Sequence, residues 1–372
     1  MITEYQICKR CVMDTTDPDI LFDENGYCCH CTRTLKSIRE NFGDPQKNST
    51  HLNEIINSVK SEGKSKKYDC LIGLSGGIDS SYLAFILVKQ YGIRPLAIHV
   101  DNGWNSDLAV SNIFKIIRKL NIDLITRVID WDDFRELQKS FLKASVVDLE
   151  MLSDHAIVVV INKIARENKI KYFLIGSNYQ TESILPKSWF YSNKMDSKNI
   201  IDIYKKYGSK RNIKSFPFLS FWEYFNFGRK YGKYLMPLSF MNYNKDSAKE
   251  ILRKEIGWED YGAKHQESFI TKFYQTYMLP IKFSIDKRRA HLSSLICAGQ
   301  ITRDNALKIL ESPIILQSEI EESILYFCKK MEITKSDFDK IMTQPRREHG
   351  EFKTFQINKD RIWKLIHFLR SK

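Results

Sequence analysis

From residue 68 onward, short apolar runs alternate with longer amphipathic stretches. Residues 68–74, 95–101, 123–130 and 171–176 are strand-length runs rich in Ile, Leu and Val. Between them, residues 82–87, 106–120, 131–144 and 154–168 repeat apolar positions at helical spacing. This alternation predicts an α/β domain built on a parallel, doubly wound sheet. Ligands of such sheets sit beyond the carboxyl ends of the strands. Four segments are therefore expected around one pocket: 75–80, 99–102, 130–131 and 176–180.

The flanking regions read differently. Residues 36–67 are polar, with one helix expected over 51–61. Residues 181–244 are irregular and rich in aromatics and lysine, which suggests loops and short elements folded over the pocket as a lid. From residue 245 helices dominate: 245–256, ended by Gly257 as a C-cap, then 286–298, 304–310, 318–329 and 359–369. The expected organisation is a module over 1–35, an α/β domain over 36–244 with a lid-like insertion at 181–244, and a helical region over 245–372. No internal repeat or low-complexity tract interrupts it.

Cysteine usage singles out the first module. Five of the eight cysteines fall between Cys8 and Cys31, and Cys70, Cys297 and Cys328 stand apart. Cys8-x-x-Cys11 and Cys28-Cys29-His30-Cys31 flank turn formers such as Asp17-Pro18-Asp19 and Asp23-Glu24-Asn25-Gly26. Two such corners predict a zinc ribbon with Cys8, Cys11, Cys28 and Cys31 as ligands. Cys29 is a spare, and the choice between Cys28 and Cys29 stays open. Four thiolates leave no position for water, so the site is expected to be structural, with the metal supplying much of the module's folding energy.

The formal net charge is +13, from 58 basic and 45 acidic residues. A basic chain suits anionic partners, nucleic acid among them. The lysines are scattered, without a long basic run or an aromatic stripe, so a solvated surface is favoured over a nucleic-acid face. Anionic nucleotides and nucleotide-sugars would gain from the same field. The opening residues carry no secretory pattern, and no run approaches the roughly 20 apolar residues of a membrane span. A cytoplasmic location is expected.

The first strand ends in Ser75-Gly76-Gly77-Ile78-Asp79-Ser80, and a helix follows. Adjacent glycines allow a sharp turn that presents backbone N–H groups. Those groups and the helix start form an anion pocket. Ser75 and Ser80 add hydroxyl donors. Asp79 would repel a bare phosphate, which implies Mg²⁺ or a capping role. The turn lacks the Gly-Lys-Ser/Thr of a Walker A loop. It resembles the PP-loop of the ATP pyrophosphatases, which cleave ATP between the α and β phosphates and transfer AMP to a carbonyl oxygen.

Other segments resemble a narrower family. Residues 8–18, Cys-Lys-Arg-Cys-Val-Met-Asp-Thr-Thr-Asp-Pro, resemble the opening of the N-acetyl sugar amidotransferases of bacterial surface-polysaccharide biosynthesis. Gly-Ser-Asn-Tyr-Gln-Thr-Glu at 176–182, Leu-Pro-Ile-Lys-Phe at 279–283 and Asp-Lys-Arg-Arg-Ala-His-Leu at 286–292 extend the resemblance over most of the chain. It implies an ATP-dependent ligase that adenylates the acetamido oxygen of a sugar. Ammonia then displaces AMP to leave an acetamidino group, as in O-antigen, capsule or flagellar glycan biosynthesis. ATP, Mg²⁺ and structural zinc are the expected cofactors.

By position, Leu74, Ser75, Gly76, Gly77, Asp79 and Ser80 would hold the phosphates, with Ser75 and Asp79 closest to catalysis. His99, Val100 and Asp101 would lie by the adenosine, although His99 serves equally well as a satisfied strand-end histidine. Gly176 and Ser177 would close the other side. Asn178, Gln180, Glu182, Lys264, His265, Glu267, Lys282, Asp286, Lys287, Arg288 and His291 are candidates for the anionic sugar. The last group is also consistent with a helix surface laced by ion pairs. Residue 2 is isoleucine and no Gly-x-Cys-x-Gly elbow occurs, so a separate glutaminase subunit is expected to supply ammonia. The family resemblance implies a cyclase-like barrel subunit beside it. A tRNA thiolation enzyme is the main alternative, because it too joins a cysteine module to a PP-loop. A scaffold retaining a relic ATP site is the third.

Overall fold

The computed structural model describes residues 4–226, 230–260, 262 and 267–355. The N-terminal cysteine module leads into helices α1 (Cys29–Phe42) and α2 (Pro45–Gly63). The α/β domain follows as β1 (Cys70–Gly73), α3 (Ile78–Lys89), β2 (Pro95–Asp101), α4 (Asp107–Leu120), β3 (Asp123–Val128), α5 (Trp131–Ala144), α6 (Met151–Glu167) and β4 (Tyr172–Leu174). Helices α7 (Tyr179–Glu182), α8 (Ser197–Tyr207) and α9 (Phe221–Asn226) precede β5 (Lys233–Leu235). Then come α10 (Lys245–Ile256), α11 (Phe269–Phe273), α12 (Leu279–Phe283), α13 (Lys287–Cys297), α14 (Arg303–Glu311), α15 (Gln317–Met331) and α16 (Lys335–Thr343). A single π turn, Tyr274–Met278, joins α11 to α12. The expected helix at 359–369 lies outside the described residues.

The sheet is parallel throughout, in the order β3-β2-β1-β4-β5. Strand residues alternate between its faces. Leu71, Leu96 and Ile98 enter the core formed with α5 and α6, while Cys70, Ile72 and Ala97 enter the core formed with α2, α3, α4 and α10. Both sides are covered, so β1 is an unbroken apolar run, as buried parallel strands require. Leu71 and Ile72 are fully buried, each worth about 1.5–3 kcal/mol relative to exposure.

The stretch 181–244 supplies the fifth strand of the sheet. β5 pairs with β4 from Tyr172↔Lys233 to Leu174↔Leu235, and α8 packs on α5. The C-terminal helices share the α/β core. Trp104, in the turn after β2, stacks on Phe269 (5.7 Å) and Phe327 (6.1 Å), and Phe273 lies 4.9 Å from Phe327. The α11–α16 region is thereby fixed against the carboxyl end of the sheet.

Candidate active site

The turn after β1 is held from several sides. Ser75 Oγ lies 3.3 Å from Ser80 Oγ and accepts from the Gly77 N–H at 3.2 Å. Gly76 adopts φ +79°, and its carbonyl accepts the Trp258 indole N–H at 3.0 Å. Gly77 is the N-cap of α3 with no side-chain cap bond, so the donors of the first turn face the loop. A Cβ on Gly176 would sit 2.7 Å from the Asp79 carbonyl carbon and the Ser80 nitrogen, so glycine is what lets the end of β4 approach the loop. Asp79 accepts a hydrogen bond from the Tyr243 hydroxyl. This leaves Ser75 as the exposed residue of a loop that is otherwise covered or half-covered.

A cavity of about 1060 Å³ opens in front of this turn. It is lined by Leu74, Ser75, His99, Val100 and Ser177 of the expected nucleotide set and by Glu182, Glu267, Lys287, Arg288 and His291 of the expected sugar set. Thus the loop at the sheet end and the start of α13 share one cavity, although about 200 residues separate them. Gly76, Gly77, Asp79 and Ser80 form the loop behind the wall. His99 is a strand-end histidine at the cavity edge: its Nδ1–H donates to the Leu74 carbonyl at 3.0 Å, and its Nε2 faces the Asn105 amide at 3.2 Å. Asp101 shapes the following turn by accepting from the Gly103 N–H and Asn105.

Several sugar candidates have other work. Lys282 donates to the carbonyls of Ile341 and Gln344 and so caps α16, away from the cavity. Arg288 borders the cavity, but its guanidinium pairs with Asp286 and donates to Ile309 and Ser312 carbonyls at the end of α14. Asp286 is the N-cap of α13. Asn178 caps α7 through Thr181, and Gln180 donates to Ser239 and Met241 carbonyls. Lys264 and His265 lie outside the described residues. Lys287 keeps its ammonium in the cavity wall, 3.2 Å from Glu150.

The structure adds residues that the sequence did not single out. Glu150, Ser153 and Asp154 at the start of α6, with Lys272 and Gln275, complete the wall. Glu150 receives Gln275 at 3.0 Å and Lys287 at 3.2 Å. Burial pushes its carboxyl up, but Lys287 and Gln275 outweigh that and hold it below the ordinary value. An acidic residue in the first turn of a helix carries no signal beyond favourable helix-dipole placement.

The cysteine module meets the ligand expectation. Cys8, Cys11, Cys28 and Cys31 are fully buried, and their Sγ atoms all lie within 4.8 Å of one another. The Cys8–Cys31 and Cys11–Cys28 separations are 3.7 and 3.5 Å, which suit the edges of a tetrahedron around one ion with metal–sulfur bonds of about 2.3 Å. Cys29 is the first residue of α1, half-exposed and outside this cluster. The module is clamped to the helical region. Arg303 donates to the Cys8 and Cys11 carbonyls, Arg289 binds Asp14 and the Val12 carbonyl, and the Val12 N–H donates to Ser293 Oγ. Among the thiols outside the cluster, burial pushes Cys297 up to about 12 and raises Cys70 and Cys328 as well, which disfavours their thiolates.

A parallel sheet with this strand order and a Ser-Gly-Gly-Ile-Asp-Ser turn leading into a helix define an α/β protein with a PP-loop-like turn, preceded by a four-cysteine knuckle. The model of the family described as "LPS biosynthesis protein WbpG-like, C-terminal domain" matches residues 267–370. An uncharacterized protein of Methanocaldococcus jannaschii is 28% identical over 130 residues, 35% of this chain and 45% of its own length. The GMP synthase (glutamine-hydrolyzing) of Wigglesworthia glossinidia brevipalpis is 32% identical over 108 residues, 28% of this chain and 20% of its own. The aligned region thus spans less than half the length of either relative. Among solved structures, the U34-tRNA thiolase NcsA of Methanococcus maripaludis with its [4Fe-4S] cluster is similar at 16% identity, over 84% of this chain and 88% of that one, with a TM-score of 0.32. No helix among the described residues is long and apolar enough to cross a membrane.

Proposed function

We propose that this chain is an ATP-dependent amidotransferase acting on an acetamido sugar in lipopolysaccharide or related surface-glycan assembly. The supporting observation is the shared cavity: Ser75 of the PP-loop and Lys287 and His291 of the WbpG-like segment line one space. An amide carbonyl is a poor electrophile and its oxygen a poor leaving group. Attack of that oxygen on the α-phosphorus expels pyrophosphate and turns the oxygen into part of AMP. Ammonia then adds at the carbon, and AMP leaves with the C–O electron pair.

The chain's tasks in this scheme are positioning and charge stabilisation. The loop N–H groups, Ser75 and Ser80 hold the pyrophosphate. Asp79 supplies a hard oxygen ligand beside them, which fits Mg²⁺, and that ion would neutralise the departing charge. Lys287 faces the anionic part of the sugar. Zinc is the ion we assign to the four thiolates, on donor chemistry and spacing. The buried thiols offer no glutaminase nucleophile, so ammonia is assigned to a separate glutaminase, with a barrel subunit as its companion. The working location is the cytoplasm, where nucleotide-sugars are made.

The test is incubation with ATP, Mg²⁺, ammonium and a panel of UDP-linked acetamido sugars. AMP and pyrophosphate, with a product mass reporting oxygen replaced by NH, support the reading; ADP refutes it. The thiolase reading predicts tight, salt-sensitive tRNA binding instead. The raised thiols of Cys70, Cys297 and Cys328 weigh against it.

A further inference from the structure

The amination half-reaction, on the reading above, needs a base. When ammonia attacks the adenylated carbon, its lone pair forms the C–N bond and the nitrogen becomes positive with three protons. One proton must leave before the C–O bond breaks and its electron pair departs on AMP. Several side chains of the loop and cavity are hydroxyls or are already engaged. Ser75 and Ser80 are hydroxyls, His99 presents its two nitrogens to Leu74 and Asn105, and Glu150 is engaged by Gln275 and Lys287.

We propose that Asp154 is the base that accepts this proton. It lies in the first turn of α6 and lines the cavity. Its side chain keeps 45% of its surface accessible. The neighbouring Ser153 Oγ accepts from Asn102 Nδ2 at 3.0 Å, which ties the start of α6 to the turn after β2, beside the nucleotide edge of the sheet. Lys194 sits 3.0 Å from Asp154 and also binds Asp148, so one ammonium holds the carboxylate in place. On the amidotransferase reading the substrate is anionic, so a carboxylate in the cavity wall is unfavourable for binding and well suited to a cationic ammonium nitrogen.

The charge surroundings favour proton uptake. Burial raises the Asp154 carboxyl, Lys194 pulls it back, and Asp148 and Glu150 push it up again, with a net rise above the ordinary aspartate value. Lys287 and Gln275 face this set through Glu150.

Asp154→Asn tests the assignment. Sugar-dependent ATP–pyrophosphate exchange reads adenylation alone, with the acetamido sugar that gives AMP release in the screen above. Exchange is expected to stay within about twofold of wild type, while ammonium-dependent amidine formation falls roughly 100-fold or more, the usual range for loss of a general base. Asp154→Glu is expected to restore much of the loss. Lys194→Met, which removes the counter-charge, is expected to move the acid limb of kcat/KM for ammonium to higher pH. That limb decides the matter if Asp154→Asn fails to fold. Retained amination in Asp154→Asn, parallel loss of both half-reactions, or an unmoved limb in Lys194→Met overturns the assignment and leaves the amidotransferase reading standing. Absence of sugar-dependent exchange in the wild-type protein overturns both.

Discussion

Gly76→Ala tests the geometry of the PP-loop directly. The residue has φ +79°, and the added Cβ would lie 2.2 Å from the Ala109 carbonyl oxygen and 2.9 Å from its Cα. The left-handed conformation costs an L-residue about 1–2 kcal/mol, and crowding against fixed backbone typically adds about 1–3 kcal/mol. Rotation of the peptide offers no escape, because the Gly76 carbonyl holds the Trp258 indole at 3.0 Å. Together these give a loss of roughly 2–5 kcal/mol. Gly92→Ala is the control: its φ is +60° and nothing lies within 4 Å of the added atom, so only the conformational term of about 1–2 kcal/mol applies. Urea unfolding gives the two losses, and titration calorimetry gives ATP affinity. A loop shift should weaken ATP about tenfold or more in Gly76→Ala, where each factor of ten corresponds to about 1.4 kcal/mol, and leave it unchanged in Gly92→Ala. Equal stability losses with unaltered ATP affinity would refute the reasoning.

Cys28→Ser should abolish stoichiometric metal binding, whereas Cys29→Ser should retain one equivalent; elemental analysis of the purified variants decides between them. Arg303→Ala removes charged donors from two knuckle carbonyls and should cost about 1.5–3 kcal/mol, with faster metal release to a chromogenic chelator; unchanged melting and release would contradict the clamp. Burial holds His155 at about 4 and His349 at about 3, below the ordinary 6.5. The unfolded chain binds these protons first, so stability should fall as pH drops from 6.5 toward 4 and flatten below the folded values. His349→Gln should make urea midpoints less sensitive to pH across that window, and an equal slope in both proteins would argue against the assignment.

The strand at 95–101 was legible because a buried parallel strand reads as a continuous apolar run. β5 was not. Lys233-Tyr234-Leu235 is three residues on a sheet edge, too short for any period to register, and only its pairing with β4 reveals it. The cysteine corners were readable from spacing, yet settling on Cys28 over Cys29 required the sulfur positions, with α1 beginning at Cys29. Lys282 and Arg288 illustrate the opposite limit. Their charge suggested a sugar contact, but the carbonyls they cap belong to helix ends 21 to 62 residues away in sequence. Asp154 resembled an ordinary first-turn acid until the fold set it against the cavity.

Helix α13 has two working sides. Arg289 and Ser293 grip the cysteine knuckle, while Lys287 and His291, two residues out of phase, look into the cavity. Stripping the metal should therefore loosen the sugar's footing while sparing the nucleotide's. On the proposed reading, a zinc-selective chelator added with Mg²⁺ in excess would mimic a competitor for the sugar, although it acts on the far side of the helix.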